Sequence, residues 1–442
     1  MLGWRCAGAF WLMAITLPAA AQTVPNPAIE TRYLNANGGA TADAAVALAL
    51  AHNGELLALR QELAAAQALI KQAALRANPS LEVRGARQIA GPDNNLMVQG
   101  ELPLELGGRR NARILVARRE ATVREKALAD RERLLAVEVR AKFGEALAHT
   151  LRLKLTNELL DTAQQGYQLV KARVEEGKTA PLEQNMTLVE VNRLLSQRES
   201  DAGKVEIAML ELRNLLGMKP EESLGLRGDF ADLLDNLPSL PEATARAFAE
   251  RPDLQAMRAM EELAAAQIEQ ARTEGRFDAS LTAGYERMNS SFPVNGITDG
   301  GQLLPIQDEF HFLTFGVTLQ LPARNKNQGA IEAAVANAEA ATRRREFAEL
   351  TVRREVAAAF ARYERAVRAR EIYRVGVREQ AAANLNVVRQ IYELGAKTLL
   401  DYFAEQRRYL EIENSFIDAQ LEVYLARLEL ARAAAGPELV KK

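Results

Sequence analysis

The sequence contains one short stretch twice, and in each copy a helical run ends at a glycine. Residues 173–183 read RVEEGKTAPLE and residues 391–401 read IYELGAKTLLD when Gly177 is aligned with Gly395. Each glycine suits the left-handed position that follows a helix end. The spacing of Thr398 and Asp401 predicts a capping box that starts the next helix. We therefore predict that each copy is the sharp tip of a helical hairpin.

A run of about 65 residues with almost no Gly or Pro precedes each tip. At about 1.5 Å per residue, such a helix is a rod of about 100 Å, which is longer than a small domain is wide. We predict long helices at 110–176 and 329–394, each followed by a helix of about 36 residues. The first repeat also opens with one predicted helix, 41–77. Two short helices stacked end to end are about as long as one long helix. Each repeat therefore supplies one continuous rod and one broken rod.

Each repeat also contains a pair of predicted strands, at 81–106 and 277–321. Apolar and polar side chains alternate there, with Gln99 and Glu101 opposite the leucines of the second strand. We predict a loop at 289–309 between the last two strands. Strands of about ten residues are long enough to cross a bilayer at a tilt. A soluble hairpin with one buried face shows the same alternation, and the pattern alone does not separate the two structures.

The chain divides around these features. Its 442 residues, of which 48% are hydrophobic and 5% aromatic, fit long packed helices. Arg5, an apolar core and three alanines before Gln22 predict a cleaved secretory signal peptide. We predict the following divisions: a signal peptide at 1–21, an irregular leader at 22–40, repeat 1 at 41–216, a linker at 217–240, repeat 2 at 241–435 and a tail at 436–442.

Several classes of site have no support in the sequence. The formal net charge of −2 gives no indication of nucleic acid binding. Cys6 is the only cysteine and lies within the signal peptide, so we predict no disulfide and no lipid anchor. The three histidines have no ligand spacing around them, and no phosphate loop or catalytic grouping occurs, so we predict no metal site, no cofactor and no enzyme activity. These histidines are His52, His149 and His311.

Four strands cannot close a membrane barrel by themselves. An unclosed edge in lipid leaves backbone groups without partners, at a cost of several kcal/mol each. Three copies of the chain would give twelve strands, an even number large enough for a polar lumen. The sequence after the signal peptide contains no run of 18 apolar residues, so we predict no membrane-spanning helix. The predicted fold is mainly helical with a small β part, and the predicted assembly is a homotrimer that continues a β-barrel as a helical tube.

Taken together, these residues resemble the TolC-like outer-membrane efflux proteins over essentially the whole mature chain. The tandem repeat, the strand pairs and the pattern Tyr392-Glu393-x-Gly395-x-x-Thr398-x-x-Asp401 carry the resemblance. The stretch 321–329, LPARNKNQG, is similar to that of the CzcC-like branch, the outer-membrane members of heavy-metal cation exporters. The resemblance implies a trimeric channel in the outer membrane of a Gram-negative bacterium. It also implies two partners, a periplasmic adaptor (membrane fusion protein) and an inner-membrane proton-driven pump of the RND type.

The resemblance also gives candidate site residues near the second tip. Acidic residues after this tip line the closed periplasmic entrance in the family, and Asp401 matches one such position. The position three residues further on is Ala404, so Glu405 is the candidate for a displaced second acid. A plain cap at the start of a helix explains Asp401 as well, and both roles are compatible.

The tips themselves are candidates for contact with the adaptor, through Gly177, Lys178, Gly395 and Lys397. The simpler interpretation makes the glycines helix stops and the lysines solvated.

Two alternatives share the helical rods with an efflux channel. An exit duct for drugs or for secreted proteins has the same architecture, and a periplasmic coiled-coil adaptor or spacer explains the rods but not four strands of membrane length.

Overall fold

The computed structural model describes residues 33–35, 38–230 and 239–436. The predicted signal peptide, most of the leader and most of the tail lie outside these residues. Repeat 1 contains four helices and two strands: α1 (Ala42–His52), α2 (Gly54–Ala74), β1 (Ser80–Arg87), β2 (Asn94–Pro103), α3 (Arg109–Glu175) and α4 (Pro181–Leu216).

Repeat 2 follows the same order with two additional elements, because a π-helical turn divides its long helix into two helices. The elements are α5 (Leu240–Glu250), α6 (Pro252–Glu274), β3 (Asp278–Ile297), β4 (Leu303–Gln320), α7 (Gln328–Ile372), the π turn (Tyr373–Arg378), α8 (Glu379–Glu393) and α9 (Leu399–Ala434). The predicted fold class, mainly helical with a small sheet, is confirmed.

The opening rod of each repeat is bent. The single helix predicted over 41–77 is wrong, because α1 and α2 meet at an angle of 48° at Asn53. The Asn53 backbone is extended, and its side-chain oxygen accepts a hydrogen bond from the N–H of Leu56 at 3.1 Å. Its amide nitrogen donates to the backbone oxygen of Leu215, at the end of α4, over 3.1 Å. The bend therefore fixes where the two halves of the first broken rod meet. In repeat 2 the equivalent break lies at Arg251.

The rods lie side by side in one layer. α3 contacts α2 and α4 on one side and α6 and α9 on the other, while α7 contacts α6 and α9, and α8 contacts α9. The order across the layer is therefore the broken rod of α2 and α4, the long α3, the broken rod of α6 and α9, and the long rod of α7 and α8. Within the described part of the chain, the first and last rods have no neighbouring rod on their outer sides.

The largest core cluster lies where α1, α3, α4 and α9 meet. Leu135, Val139, Phe143 and Leu147 recur at every fourth residue of α3 and are buried, which is the spacing of one helix face. The linker between the repeats contributes to this cluster through buried Leu224, Leu226 and Phe230.

Close helix contact in this core depends on one glycine. A Cβ atom at Gly144 would lie 2.4 Å from the ring of Tyr424, so α3 and α9 approach each other as closely as they do only without a side chain there. The Tyr424 hydroxyl donates to the backbone oxygen of Arg140 at 3.0 Å. Burial raises the pKa of Tyr424 to about 12. This tyrosine therefore stays neutral and bonded at any physiological pH.

The four strands form one sheet in the order β1-β2-β3-β4, with every neighbouring pair antiparallel. The predicted loop at 289–309 is wrong over most of its length, because β3 and β4 extend through it to a turn at 298–302. The turn is closed by a hydrogen bond of 3.0 Å from the Thr298 N–H to the Gln302 oxygen, and Gly301 adopts a φ of +78°. Because β2 begins opposite Asn289, the second hairpin extends beyond the first.

Among the described helices, none alone is long and apolar enough to span a membrane. The bent pair α1 and α2 meets that test only when the two helices are taken together.

Candidate functional site at the helix tips

Both tips end their long helix with the same hydrogen bonds. At the first tip the N–H of Gly177 donates to the Val174 oxygen at 2.9 Å, and that of Lys178 donates to the Arg173 oxygen at 2.8 Å. At the second, Gly395 donates to Tyr392 at 2.9 Å and Ala396 donates to Ile391 at 3.0 Å. These are the two bonds of a Schellman motif. The glycines adopt φ angles of +71° and +76°, so the predicted helix stops are confirmed.

The second tip leads directly into a capped helix. The backbone N–H and the hydroxyl of Thr398 donate to Asp401 Oδ2 at 3.1 and 2.8 Å, and the Asp401 N–H donates to the Thr398 hydroxyl at 3.2 Å. This is the predicted capping box. At the first tip Ala180 occupies the cap position without a side-chain bond, and Pro181 starts α4 instead.

Asp401 is fully exposed at this tip. Hydrogen bonds from the side chain and backbone of Thr398, with a smaller effect of the Lys397 charge, lower the pKa of the Asp401 carboxyl. The carboxylate is therefore charged at neutral pH while it caps α9. Glu405 follows one helical turn later and is partly exposed. The place of both acids in a channel entrance stays a prediction.

The two lysines differ in their local partners. Lys178 Nζ lies 2.8 Å from a carboxylate oxygen of Glu176, in an ion pair whose side chains are 71% and 58% exposed. Such an exposed pair contributes at most about 1 kcal/mol. Lys397 is exposed and lies near Asp401. Both ammonium groups are therefore accessible to a binding partner.

The two tips lie next to each other at one end of the layer. Burial raises the pKa of Tyr392, which also experiences the charges of Glu183 and Arg173 from the first tip. Slightly further along the rods, Arg407 Nε of α9 lies 3.9 Å from a carboxylate oxygen of buried Glu190 on α4. A ligand that docks on this end of the molecule therefore meets both hairpins.

An aromatic cluster supports the second tip, and the sequence reasoning missed most of it. The rings of Tyr392 and Tyr402 stack with centroids 5.8 Å apart, and Phe403 lies 5.9 Å from Tyr402. Tyr392 precedes the glycine and Tyr402 follows it, so the rings bridge the two helices of the hairpin. The available signal was an aromatic residue on each side of the tip.

The π turn is the second feature that the sequence reasoning missed. At its end, Arg378 Nε donates to both carboxylate oxygens of Glu413 at 2.8 and 3.0 Å. The same guanidinium lies 4.8 Å from the ring centroid of Phe416. The Glu413 side chain is only 8% exposed, so this contact holds the interrupted helix against α9. A π turn inserts one extra residue into a helix, and hydropathy does not report such an insertion.

The sheet at the opposite end has one apolar face. The register places Val83, Val98, Tyr285 and Leu313 across from one another on the same side. Exposed fractions on this face are high: Leu81 72%, Val83 62%, Leu313 74%, Phe315 81% and Val317 62%. The other face carries Glu82, Gln99, Glu101 and Glu286. Contiguous exposed apolar surface of this kind marks a membrane or protein contact.

The histidines do not come together in the structure. His52 lies at the bend of the first rod, His149 Nδ1 lies 3.3 Å from a guanidinium nitrogen of Arg152, and His311 Nδ1 lies 2.6 Å from the Tyr285 hydroxyl on the sheet. The described residues contain no group of three or more His, Cys, Asp or Glu side chains that could hold a metal ion.

The family model for outer membrane efflux proteins matches residues 45–218 and 244–436, which cover almost all of the two repeats. The chain belongs to the outer membrane efflux protein family. The comparison confirms the family that the tip and strand motifs predict. Proteins of this family are channels of efflux systems and not enzymes, as predicted.

Individual relatives agree with the family. The chain is 28% identical over 311 residues to the cobalt-zinc-cadmium resistance protein CzcC of Cupriavidus metallidurans, covering 69% of this chain and 68% of CzcC. Its fold is similar to that of the channel protein CusC, with a TM-score of 0.72 at 18% identity over 91% of this chain and 95% of CusC. Its fold is also similar to that of the open MtrE channel of Neisseria gonorrhoeae, with a TM-score of 0.69 at 19% identity and 89% of each chain covered.

Proposed function

We propose that this efflux protein is the outer-membrane exit duct of a tripartite system that expels heavy-metal cations. In this proposal three copies close into a channel, a periplasmic adaptor docks on the helix tips, and an inner-membrane proton-driven pump of the RND type supplies the cargo. The main observation in support of a channel is the four-stranded sheet, which has an exposed apolar face and two open edges, β1 and β4.

Closure follows from the backbone chemistry of those edges. β1 and β4 each leave a row of N–H and C=O groups that need partners in lipid. Because β1 and β4 run in opposite directions, β4 of one copy meets β1 of the next as an antiparallel pair. The same contact repeats around a ring, which is a heterologous interface that closes on itself. Three copies give twelve strands with the apolar face towards lipid.

The metal cargo is supported by two observations. CzcC is by name a cobalt, zinc and cadmium resistance protein. The polar face of the sheet carries Glu82, Glu101 and Glu286 against one arginine, Arg84, so the lumen of a closed ring attracts cations. The selection among cargoes lies in the pump, because a duct lined with generic polar groups passes what it is given.

The cargo is tested by deletion of the gene in its host, with survival measured on cobalt, zinc and cadmium salts and on a panel of hydrophobic drugs. Increased sensitivity to the metals alone, reversed by the intact gene, is the expected result. Increased sensitivity to the drugs alone, or loss of a secreted protein, favours the alternative duct functions. The spacer alternative predicts release of the protein by a salt wash, whereas a channel stays in the outer-membrane fraction until detergent is added.

The tip residues have two roles in this proposal. Gly177, Lys178, Gly395 and Lys397 form the blunt end on which the adaptor docks. Asp401, with Glu405 behind it, forms an acidic ring at the periplasmic entrance when three copies meet on an axis. Asp401→Asn, alone or with Glu405→Gln, should change the single-channel conductance or the cation preference in a planar bilayer. Unchanged conductance and unchanged selectivity would count against an entrance at this position.

A further inference from the structure

The two outer rods of the layer have exposed side chains that no described part of the chain covers. Near the tips, α4 exposes Leu182 and Val189 at 66% and 67%, and α8 with its tip exposes Val387 and Leu394 at 52% and 84%. These apolar residues lie on opposite outer edges, at similar distances from the tips. Each edge therefore lacks a neighbour, and the two edges have matching apolar positions.

Unpaired charges of opposite sign occur further along the same two outer rods. Glu206 on α4 is exposed, and it lies one residue before Ile207, which is 60% exposed. Arg365 and Arg368 on α7 are exposed as well, and they lie two turns and one turn before Ile372, which is 66% exposed. Within the described residues, none of these three charged groups has a hydrogen bond or an ion pair.

The acid and the arginines lie at the same height above the tips. Glu206 is 25 residues beyond Pro181, where α4 starts, and Arg368 is 25 residues before Glu393, where α8 ends. At about 1.5 Å per residue, both are about 38 Å from the tip end of the layer. Arg365 lies one turn higher. The contact between Arg407, eight residues beyond the start of α9, and Glu190, nine residues beyond the start of α4, shows that the two hairpins are in register near their tips.

The geometry points to an ion pair between copies, in which Glu206 of one chain binds Arg368 of the next, with Arg365 beside it. This inference rests on the ring closure proposed above and names the residues that select the partner edge. A second copy is the occupant because, among the described residues, the opposite edge of the same chain presents the complementary charge at this height next to exposed apolar residues. Like charges across an interface are strongly unfavourable, so the pair also excludes wrong registers.

Charge reversal tests the pair in the full-length protein. Glu206→Arg and Arg368→Glu should each make the detergent-solubilised oligomer dissociate at least about tenfold faster on heating. The double variant Glu206→Arg with Arg368→Glu in one chain should restore the wild-type rate. Glu125→Arg on α3 is the matched control, because Glu125 is exposed and unpaired but lies on an inner rod. Reversals that leave dissociation unchanged, or a double variant that restores nothing, would overturn the pair.

Mixing the two single variants adds a test of ring size. A chain with Glu206→Arg and a chain with Arg368→Glu repel their own kind but attract each other. Strict alternation needs an even number of chains, so a ring of three keeps one repulsive contact and the mixture should recover only part of the stability. Full recovery by the mixture contradicts a three-membered ring, while a wild-type protein that is monomeric in detergent contradicts the proposed closure itself.

A cysteine pair gives a measurement that does not depend on stability. The predicted mature chain has no other cysteine, so Glu206→Cys with Arg368→Cys allows one crosslink per interface. A bis-maleimide whose spacer matches the reach of an Arg–Glu pair should convert the protein to covalent dimers and trimers in SDS, whereas a direct disulfide would need Cα atoms within about 7 Å. Glu125→Cys with Arg368→Cys should stay monomeric in SDS. Absence of crosslinks at 206 and 368 in an intact oligomer contradicts the inference.

Discussion

Arg251 should be among the most sensitive charged positions of the chain, because it joins three elements in a buried site. Its side chain is 3% exposed and lies at the break between α5 and α6. Its guanidinium donates to both carboxylate oxygens of Asp253 at 3.0 and 2.6 Å, to Glu355 at 2.8 Å and to the backbone oxygen of Ala433 at 3.3 Å. Burial acts to raise the pKa of Asp253, but the hydrogen bonds and charge of Arg251 outweigh it and lower that pKa.

The cost of Arg251→Met follows from what remains after the guanidinium is removed. Breaking a buried ion pair by deleting one partner costs about 3–5 kcal/mol. Here Asp253 and Glu355 are 33% and 25% exposed, and each keeps another arginine at 3.9 Å, Arg133 and Arg432 respectively. Water and these arginines offset part of the loss. We therefore expect a destabilisation of about 2–3 kcal/mol.

The unfolding rate in detergent measures this cost, because the proposed membrane oligomer is expected to unfold irreversibly. If the contacts of Arg251 are already broken in the transition state for unfolding, a loss of about 2–3 kcal/mol accelerates unfolding about 30- to 160-fold. Arg119→Met is the control, since Arg119 pairs with Glu262 in an ion pair whose side chains are 41% and 54% exposed, and its loss should cost at most about 1 kcal/mol. If Arg251→Met unfolds no faster than Arg119→Met, the reasoning about the buried site is wrong.

Further predictions concern the second tip. Gly395→Ala forces a side chain into a φ of +76° with nothing nearby to clash, so it should destabilise the tip by about 1–2 kcal/mol. Gly166→Ala, inside α3, should instead stabilise its helix by up to about 1 kcal/mol. Hydrogen exchange of the backbone amides at each site measures both effects. The pKa of Asp401 is lowered in the folded protein, so the stability that the cap contributes is fully present above the usual pKa of 3.8. That stability is lost only as the pH falls through the lower pKa of the folded state. Exchange protection at the start of α9 should therefore be constant from roughly pH 8 to 5, and a change near neutral pH would contradict this cap.

The sequence predicts the parts of this fold that depend on local chemistry. The glycine stops at 177 and 395 and the capping box at Thr398 are confirmed, because left-handed backbone and cap bonds are properties of a few neighbouring residues. The alternation of the strands likewise places the apolar face correctly. The family follows from the same tip and strand residues, and the comparison confirms it.

The features that the sequence reasoning missed depend on contacts between distant residues. The bend at Asn53 is stabilised by the Leu215 oxygen, which is 162 residues away in the chain. The π turn is held by Glu413 on another helix. The hairpin extension through 290–297 was predicted as a loop because Pro293, Asn295 and Gly296 interrupt its alternation, and the pairing with β4 shifts register there. Propensity alone does not report such tertiary stabilisation.

The central claim is that one chain supplies a third of a closed channel. The most direct test is the mass of the protein component of the detergent-solubilised mature protein, measured by light scattering with the detergent contribution subtracted. A mass of three chains, lost together with channel activity when the oligomer is dissociated, is the predicted result. A stable single chain that stays in solution without detergent would contradict the closure of β4 on β1 and the duct function with it.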